Sequence, residues 1–301
     1  MIQSPKLLFV YNPHAGKETI KSHLLEIIDI FTKAGYEVIA YPTQSRKDGE
    51  RRVRERADDI ELVVCSGGDG TCNEVVSGML ESNFQVPIGY VPAGSTNDFA
   101  SSLKIPSSMI RAAGTIVDGR DFLCDVGRLN KRAFVYCAAF GVFTDISYST
   151  NQTLKNALGH TAYLLQSVRE LQEIRTYHAK ITYGNGTVIE DEFIYGMITN
   201  SVQVGGIKGI TGKNVSLDDG EFEVTLVRRP SNIIELPGIV STMLGRTHLP
   251  PSPHLFNFKT SHVVIETEDE MPWTLDGEYG GSHTKADITV ERKAFTIRVP
   301  K

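Results

Sequence analysis

The sequence predicts an N-terminal α/β domain with a parallel sheet, followed by a mainly antiparallel β domain. Up to about residue 121, short apolar runs alternate with helical patterns, and after it strand-like runs predominate. Such alternation is typical of a parallel sheet with crossover helices, whereas successive strands favour antiparallel pairing. The 301 residues, of which 41% are hydrophobic, are enough chain for two modest cores.

The first domain is predicted to contain four strands joined by three helices. The strands are the apolar runs at residues 7–11, 36–40, 62–65 and 88–91. The helices are residues 20–31, 46–57 and 73–80. The first helix has apolar residues at helical spacing and is expected to end at Gly35.

The second domain is predicted from about Leu123 onward, and most of its elements are strands. The strands are predicted at residues 133–140, 177–183, 187–199, 222–227, 263–267 and 287–290. Asn185-Gly186 lies between two of these runs and predicts a hairpin. Helices are predicted at residues 161–174 and 233–244.

Composition excludes several classes of protein. The formal net charge of −5 argues against a nucleic-acid-binding protein, which needs a basic face to displace counterions. The four cysteines form no C-x-x-C pair, so we predict reduced thiols in a cytosolic protein. The first residues do not resemble a signal peptide, and no apolar run is long enough to cross a bilayer. Any membrane contact is therefore expected to be peripheral.

A glycine-rich turn follows the third predicted strand. It reads Gly67-Gly68-Asp69-Gly70-Thr71 and opens a helix, so its backbone N–H groups form an anion-binding turn. Glycine allows the backbone to approach a phosphate, and Asp69 suits a contact to Mg²⁺, direct or through water. A plain glycine-rich turn between a strand and a helix is the alternative.

Two other strand exits have a similar polar character. The segment 92–100 reads Pro-Ala-Gly-Ser-Thr-Asn-Asp-Phe-Ala, and the segment 12–17 reads Asn-Pro-His-Ala-Gly-Lys. Ligands of open α/β sheets bind at the carboxyl ends of the strands, although residues 95–98 could also simply cap the next helix. Segment 12–17 is not a P-loop, because Tyr11 and Glu18 replace the required glycine and hydroxyl residue. The chain contains no dinucleotide-type G-x-G-x-x-G sequence.

Taken together and in order, residues 12–17, 67–75 and 92–100 resemble the catalytic family of diacylglycerol kinases, in its bacterial lipid-kinase branch. The segments 216–222 and 275–278 extend the resemblance over nearly the whole chain. One departure is Ser95, which replaces the family's usual threonine but keeps the hydroxyl group.

The resemblance implies a particular division of the chain. The ATP-binding α/β domain, of the type found in NAD kinases and phosphofructokinases, would comprise residues 1–123 together with about 291–301. Residues 124–290 would form a β-sandwich that binds the lipid. Residues 295–299 would be the strand that returns to the first domain.

The resemblance also implies the site residues. ATP and Mg²⁺ would bind between the domains, at Asn12, Thr43, Gly67, Gly68, Asp69, Gly70, Thr71, Asn73, Gly94, Ser95 and Thr96. Asn97 and Asp98 are expected to contact substrate.

Glu278 matches the family's general base in the D-G-E segment. Asp276 lies two residues away, and carboxylates so close are expected to raise the pKa of one of them, which would suit a base that works near neutral pH. Asp69 and Asp276 are therefore predicted to be catalytic with Glu278. The alternative is that Asp276-Gly277 is a hairpin turn followed by an exposed glutamate.

A second Mg²⁺ site is implied at the segment 216–221. The family holds a structural cation there, and in this chain the ligands would be Asp219 with the carbonyls of Ser216 and Glu221. Oxygen-rich coordination suits a hard cation. A simple Asp-Asp-Gly turn at residues 218–220 is the alternative.

The resemblance favours a kinase that phosphorylates a lipid hydroxyl, most simply diacylglycerol to phosphatidic acid, at the membrane surface from the cytosol. Alternatives are a kinase for a soluble alcohol, resembling NAD kinases, and a nucleotide-binding regulator without activity. Members of the family often pair, so a homodimer is a further expectation. The sequence does not identify the acceptor lipid.

Overall fold

The structure is a computed structural model that describes residues 4–56, 59–82, 85–142, 144, 175–212, 214–243 and 252–301. It contains two compact units. The first comprises Met1–Val126 with Arg292–Lys301, and the second comprises Gly127–Glu291. The division therefore lies just after the position predicted near Leu123.

The first unit alternates strands and helices. Its strands are β1 (Lys6–Tyr11), β2 (Glu37–Pro42), β3 (Leu62–Gly67) and β4 (Ile88–Pro92). Its helices are α1 (Ile20–Lys33), α2 (Asp48–Glu55), α3 (Asp69–Ser82), α4 (Asp98–Ser102) and α5 (Met109–Asp118).

These four strands form a parallel sheet in the order β2-β1-β3-β4. The strand β3 is buried along its whole length, which explains its continuous apolar sequence. The chain leaves β1 for β2 on one side and reaches β3 on the other side. The strand order therefore reverses between β1 and β3, and ligands of such sheets bind at the carboxyl ends of the strands beside this reversal.

The second unit consists mainly of strands. They are β5 (Arg120–Leu129, which begins in the first unit), β6 (Arg132–Phe134), β7 (Cys137–Gly141), β8 (Tyr177–Tyr183), β9 (Thr187–Thr199), β10 (Gln203–Val204), β11 (Ile207–Lys208), β12 (Phe222–Arg228), β13 (Leu255–Thr260), β14 (His262–Leu275) and β15 (Glu278–Val299, which ends in the first unit). A 3-10 turn at Ile233–Glu235 leads into the helix α6 (Leu236–Met243).

The strand pairs of the second unit are antiparallel. The predicted hairpin at Asn185-Gly186 is present, because β8 and β9 pair from Tyr183 and Thr187 onward. Trp273 is fully buried, and its ring centroid lies 5.0 Å from that of Phe140. This tryptophan is therefore a core residue and not part of a surface that could meet lipid.

The structure corrects several predicted bounds. Helix α3 begins at Asp69 and not at residue 73, so residues 69–71 of the glycine-rich turn form its first turn. Helix α2 is shorter than predicted because the preceding loop is held by side chains described below. The strand predicted at 263–267 belongs to the longer β14, and α4 and α5 were not predicted. The helix predicted at 161–174 lies outside the described residues.

The four cysteines are buried, and none of them forms a disulfide bond. None of the helices in the described ranges is long and apolar enough to span a membrane.

Candidate active site

The polar strand exits of the first unit lie at one edge of the parallel sheet. Asn12 follows β1, Thr43 follows β2, and Gly68 follows β3, while Gly94 comes two residues after β4. The backbone N–H of Asn12 donates to Ser66 O at 2.8 Å, and that of Thr43 donates to Tyr11 O at 2.9 Å. The parallel pairing therefore gathers the predicted nucleotide residues at the reversal of the strand order.

Glycines allow the loops at this edge to approach each other closely. A Cβ atom on Gly94 would lie 2.6 Å from the Cα of Gly68, and one on Gly16 would lie 2.3 Å from Ala93 O. A Cβ on Gly67 would lie 2.3 Å from Thr71 Oγ1. These distances are shorter than van der Waals contact, so the three positions require glycine. Because these residues have no side chains, no Cβ atom covers the backbone of the loops, and a phosphate-binding turn requires such uncovered backbone.

Asp69 joins the glycine-rich turn to the next helix. Its Oδ2 accepts from the N–H of Asp98 at 3.0 Å, and its Oδ1 accepts from the N–H of Phe99 at 3.2 Å. Both amides are at the start of α4, where backbone N–H groups favour a negative charge. A carboxylate oxygen has more than one lone pair, so Asp69 held in this way can still face a cation or its water.

Asn97 hydrogen-bonds to Gly94 within the segment after β4. The Oδ1 atom of Asn97 accepts from Gly94 N–H at 2.9 Å, and its Nδ2 donates to Gly94 O at 2.9 Å. Asn97 has a φ of 51°, a left-handed conformation that asparagine tolerates. Asp98 is buried, Ser95 is exposed and Thr96 is half-buried. The side chain of Asn97 therefore shapes the loop, and Ser95 and Thr96 present hydroxyl groups on it.

Glu74 has a role that sequence reasoning missed. It lies in α3, and its carboxylate accepts from Lys47 N–H at 2.7 Å and from Gly49 N–H at 3.1 Å, at the start of α2. It therefore caps α2 from a distance and fixes the loop that carries Thr43. In the sequence, Glu74 stands out only as part of the segment 67–75, and that segment does not indicate which residues Glu74 contacts.

Asp276 and Gly277 form a tight turn between β14 and β15. Both have positive φ values, 49° and 84°, and Leu275 pairs with Glu278 across the turn. This geometry is that of a two-residue hairpin with the Asp-Gly sequence that it favours. The hairpin alternative is thus correct as a description of the turn.

The carboxylate of Asp276 is buried and bound to the backbone. It accepts from Val135 N–H at 2.6 Å, Tyr136 N–H at 3.0 Å and Cys137 N–H at 2.9 Å. These contacts orient the turn on which Glu278 lies, and Glu278 itself is partly exposed. They favour a positioning role for Asp276 over the catalytic role predicted for it.

In the loop predicted to bind a structural cation, the polar side chains bond to other groups of the protein. Ser216 Oγ donates to Asp218 Oδ1 at 2.7 Å, and Glu221 N–H donates to Asp219 Oδ1 at 3.1 Å. The other Asp219 oxygen, Oδ2, lies 3.0 Å from the Nζ of Lys259, a residue that the sequence analysis did not consider. Within the described ranges, no group of three or more His, Cys, Asp or Glu side chains is placed to hold a metal ion.

Comparison with known proteins identifies the family of this chain. The family model of the diacylglycerol kinase catalytic domain matches residues 6–129. A diacylglycerol kinase of Staphylococcus carnosus (strain TM300) is 34% identical over 273 residues, which are 90% of this chain and 88% of that protein. A diacylglycerol kinase of Bacillus subtilis (strain 168) is 32% identical over 274 residues, 90% of this chain and 89% of that protein.

The fold agrees as well. Two crystal structures described as diacylglycerol kinases from Bacillus anthracis strain Sterne match with TM-scores of 0.81 and 0.76 and identities of 26% and 25%. Each match covers 99% of this chain and 98% of the other. The resemblance inferred from the motifs is therefore confirmed, and the chain belongs to the family of the diacylglycerol kinase catalytic domain.

Proposed function

We propose that this protein is an ATP-dependent lipid kinase that transfers the γ-phosphate to the hydroxyl of diacylglycerol and forms phosphatidic acid. The observation that carries the proposal is the glycine-rich turn at the reversal of the strand order, where Asp69 bridges to the start of α4. The names of the relatives support the choice of acceptor.

In this proposal, the first unit holds the nucleotide. Backbone amides at residues 67–73 bind the phosphates, while Asn12, Thr43 and the loop 94–96 surround the rest of ATP. Mg²⁺ bound with the nucleotide would neutralise charge on the transferring phosphoryl group. Two amides, at 3.0 and 3.2 Å, hold Asp69 in one conformation, in which its remaining lone pairs would contact that cation or its water.

Glu278 is the proposed general base. It accepts the hydroxyl proton of the lipid, the alcohol oxygen forms a bond to the γ-phosphorus, and the bond to the bridging oxygen breaks, so that ADP leaves. Asp276 fixes the turn beside it through three backbone amides. Asn97 and Asp98, where the loop leads into α4, are the proposed contacts to the substrate.

The finer assignments follow from the family. The first unit would share its nucleotide-binding fold with NAD kinases and phosphofructokinases, and the second unit would bind the lipid as a β-sandwich. The protein would reach diacylglycerol by contacting the membrane surface from the cytosol, and it would pair as a homodimer. Vesicle sedimentation and light scattering test the last two points.

A panel of acceptors tests the proposed substrate. With labelled ATP and Mg²⁺, we expect phosphate incorporation into diacylglycerol in mixed micelles. Selectivity among lipids is measured with monoacylglycerol, a sphingoid base, phosphatidylglycerol and a polyprenol. Soluble alcohols and NAD test the alternative of a kinase for a soluble alcohol. Phosphorylation of a soluble acceptor in preference to every lipid would refute the proposal.

Replacing Glu278 tests the proposed base. A Glu278→Gln variant should lose about 10²-fold to 10⁴-fold in kcat, because a positioned general base contributes about that factor. Its urea unfolding should match that of the parent, since the amide keeps the shape of the side chain. A variant that turns over diacylglycerol at the parental rate would remove Glu278 from the mechanism.

A variant at Asp276 tests whether its three backbone contacts stabilise the protein. Asp276→Ala leaves three backbone amides without their acceptor and should cost about 1–3 kcal/mol of unfolding free energy or more. Asp269→Ala, an exposed aspartate on the same strand, serves as the control.

A further inference from the structure

One ligand of the expected structural cation site, the carboxylate of Asp219, is bound by a lysine of the protein. Lys259 lies in β13, directly opposite Glu223 in β12. Its Nζ atom lies 3.0 Å from Asn214 O, 3.0 Å from Asp219 Oδ2 and 2.9 Å from Glu223 Oε1. Lys259 therefore makes two hydrogen bonds, to Asn214 and Asp219, and an ion pair with Glu223.

The acceptors at this position are themselves fixed. Asp219 Oδ1 accepts from Glu221 N–H at 3.1 Å, so both oxygens of the carboxylate have partners. Glu223 is buried, and its side chain is 7% exposed. A buried carboxylate without a counter-charge is strongly unfavourable, and Lys259 supplies that charge.

A divalent cation does not fit beside this lysine. Mg²⁺ binds oxygen ligands at about 2.0–2.1 Å in an octahedral arrangement. Asp219, the one side-chain ligand expected for it, already has the Lys259 ammonium 3.0 Å from its Oδ2. The two cations would compete for this carboxylate and repel each other.

We propose that Lys259 replaces the structural Mg²⁺ of this loop, tying residues 214–221 to β12 with a cation that belongs to the chain. The loop then needs no divalent metal to keep its shape. The proposal does not depend on the kinase function, because it concerns the stability of the second unit and its test contains no nucleotide.

The test is thermal unfolding of the nucleotide-free protein with EDTA and with added Mg²⁺. The Tm of the parent protein should be the same in both. Lys259→Met keeps the length of the side chain and removes its charge, and its Tm should fall by about 4 °C or more in EDTA. Added Mg²⁺ should raise the Tm of this variant, because the freed oxygens are ligands that Mg²⁺ accepts.

Lys285→Met is the matched control. Lys285 also faces a glutamate across a strand pair, Glu266, but the two side chains are 60% and 43% exposed. Exposed pairs contribute little, so this variant should keep the parental Tm and its indifference to metal.

Two further measurements keep the proposal falsifiable. If Lys259→Met does not fold, Lys259→Arg retains the charge and should fold with a Tm indifferent to Mg²⁺; stabilisation of that variant by Mg²⁺ would contradict the proposal. Binding of Mn²⁺ to the nucleotide-free parent, measured by electron paramagnetic resonance and abolished by Asp219→Asn, would overturn it.

Discussion

At the scale of single residues, the proposed phosphate site at the edge of the parallel sheet depends on glycines. Gly16 and Gly94 let neighbouring loops meet with backbone against backbone. A methyl group at Gly94 would lie 2.6 Å from the Cα of Gly68 and 2.8 Å from Asn97 Oδ1. Backbone cannot move aside as a flexible side chain can, so the loop after β4 would have to shift.

We therefore expect Gly94→Ala to weaken ATP binding by about tenfold or more, because a shift of about an ångström at a positioned site costs affinity and rate. Isothermal titration with a non-hydrolysable ATP analogue measures the effect. Gly114→Ala is the control, since a Cβ there meets nothing within 4 Å in α5. Gly114→Ala should bind the analogue like the parent and leave the stability of the protein unchanged or slightly higher. Equal affinity of the two variants for the analogue would contradict the prediction.

At the scale of elements, α2 is held at its start by a residue of another helix. Glu74 accepts from two amides there, and Lys47 just before the helix has a φ of 65°. The fixed conformation of this loop places Thr43 at the sheet edge. Helix α2 is also ion-paired along its surface, as at Arg51 and Glu55, which agrees with its charged sequence.

Glu74→Ala should lower the unfolding free energy by about 1 kcal/mol, the usual loss on removing a cap. It should also raise the KM for ATP with a smaller effect on kcat, because the loop of Thr43 loses its anchor. Urea unfolding and steady-state kinetics measure both. Glu81→Ala removes an exposed ion pair with Arg54 between the same two helices and should change neither; similar losses in both variants would refute the assignment.

Asp48, the first residue of α2, makes the stability of the protein depend on pH. Burial opposes ionisation of its carboxyl, but hydrogen bonds from Gln44 N–H, Arg51 and Tyr41 outweigh it, and the pKa is lowered. A lowered folded-state pKa means that the stabilisation is present above the unfolded pKa of about 3.9 and is lost as the pH falls through the folded pKa.

Asp48→Asn should therefore be less stable than the parent at neutral pH, and the difference should shrink below about pH 4. Urea unfolding of both proteins across that range measures the difference. A difference that stays constant down to about pH 2 would show that the charge of Asp48 is not responsible.

At the scale of the whole molecule, the last strand begins in the second unit and ends in the first. Residues 292–301 belong to the first unit, where Ile297 pairs in parallel with Ile88 and Lys293 N–H donates to Asp125 Oδ1 at 2.7 Å. Phe295 is buried, with its ring 6.3 Å from that of Phe99.

Phe295→Ala should destabilise the first unit by about 3–5 kcal/mol, through the cavity that it leaves. Urea unfolding followed by far-UV circular dichroism measures this loss. Arg292→Ala, at an exposed position of the same strand, should stay within about 0.5 kcal/mol of the parent. A parental midpoint for Phe295→Ala would mean that the core of the first unit forms without this strand.

The sequence predicted the strands of the first unit closely, because buried parallel strands are continuous apolar runs such as β3. It also located the glycine-rich turn and the hairpin at Asp276. It did not predict the contacts of Asp276, Glu74 or Lys259. Each of these bonds joins residues far apart in the chain, such as Asp276 with Val135 and Lys259 with Asn214, and local patterns carry no signal for such pairs.

The pairing of Ile297 with Ile88 has a consequence for synthesis on the ribosome. The nascent chain exposes β1 to β4 long before residues 292–299 exist to complete that sheet. Until then the edge of β4 is unpaired, and open strand edges recruit other chains. We expect a ribosome-stalled chain ending before residue 292 to bind chaperones and to be cleaved by proteases in its first unit, and release of the full sequence to protect it.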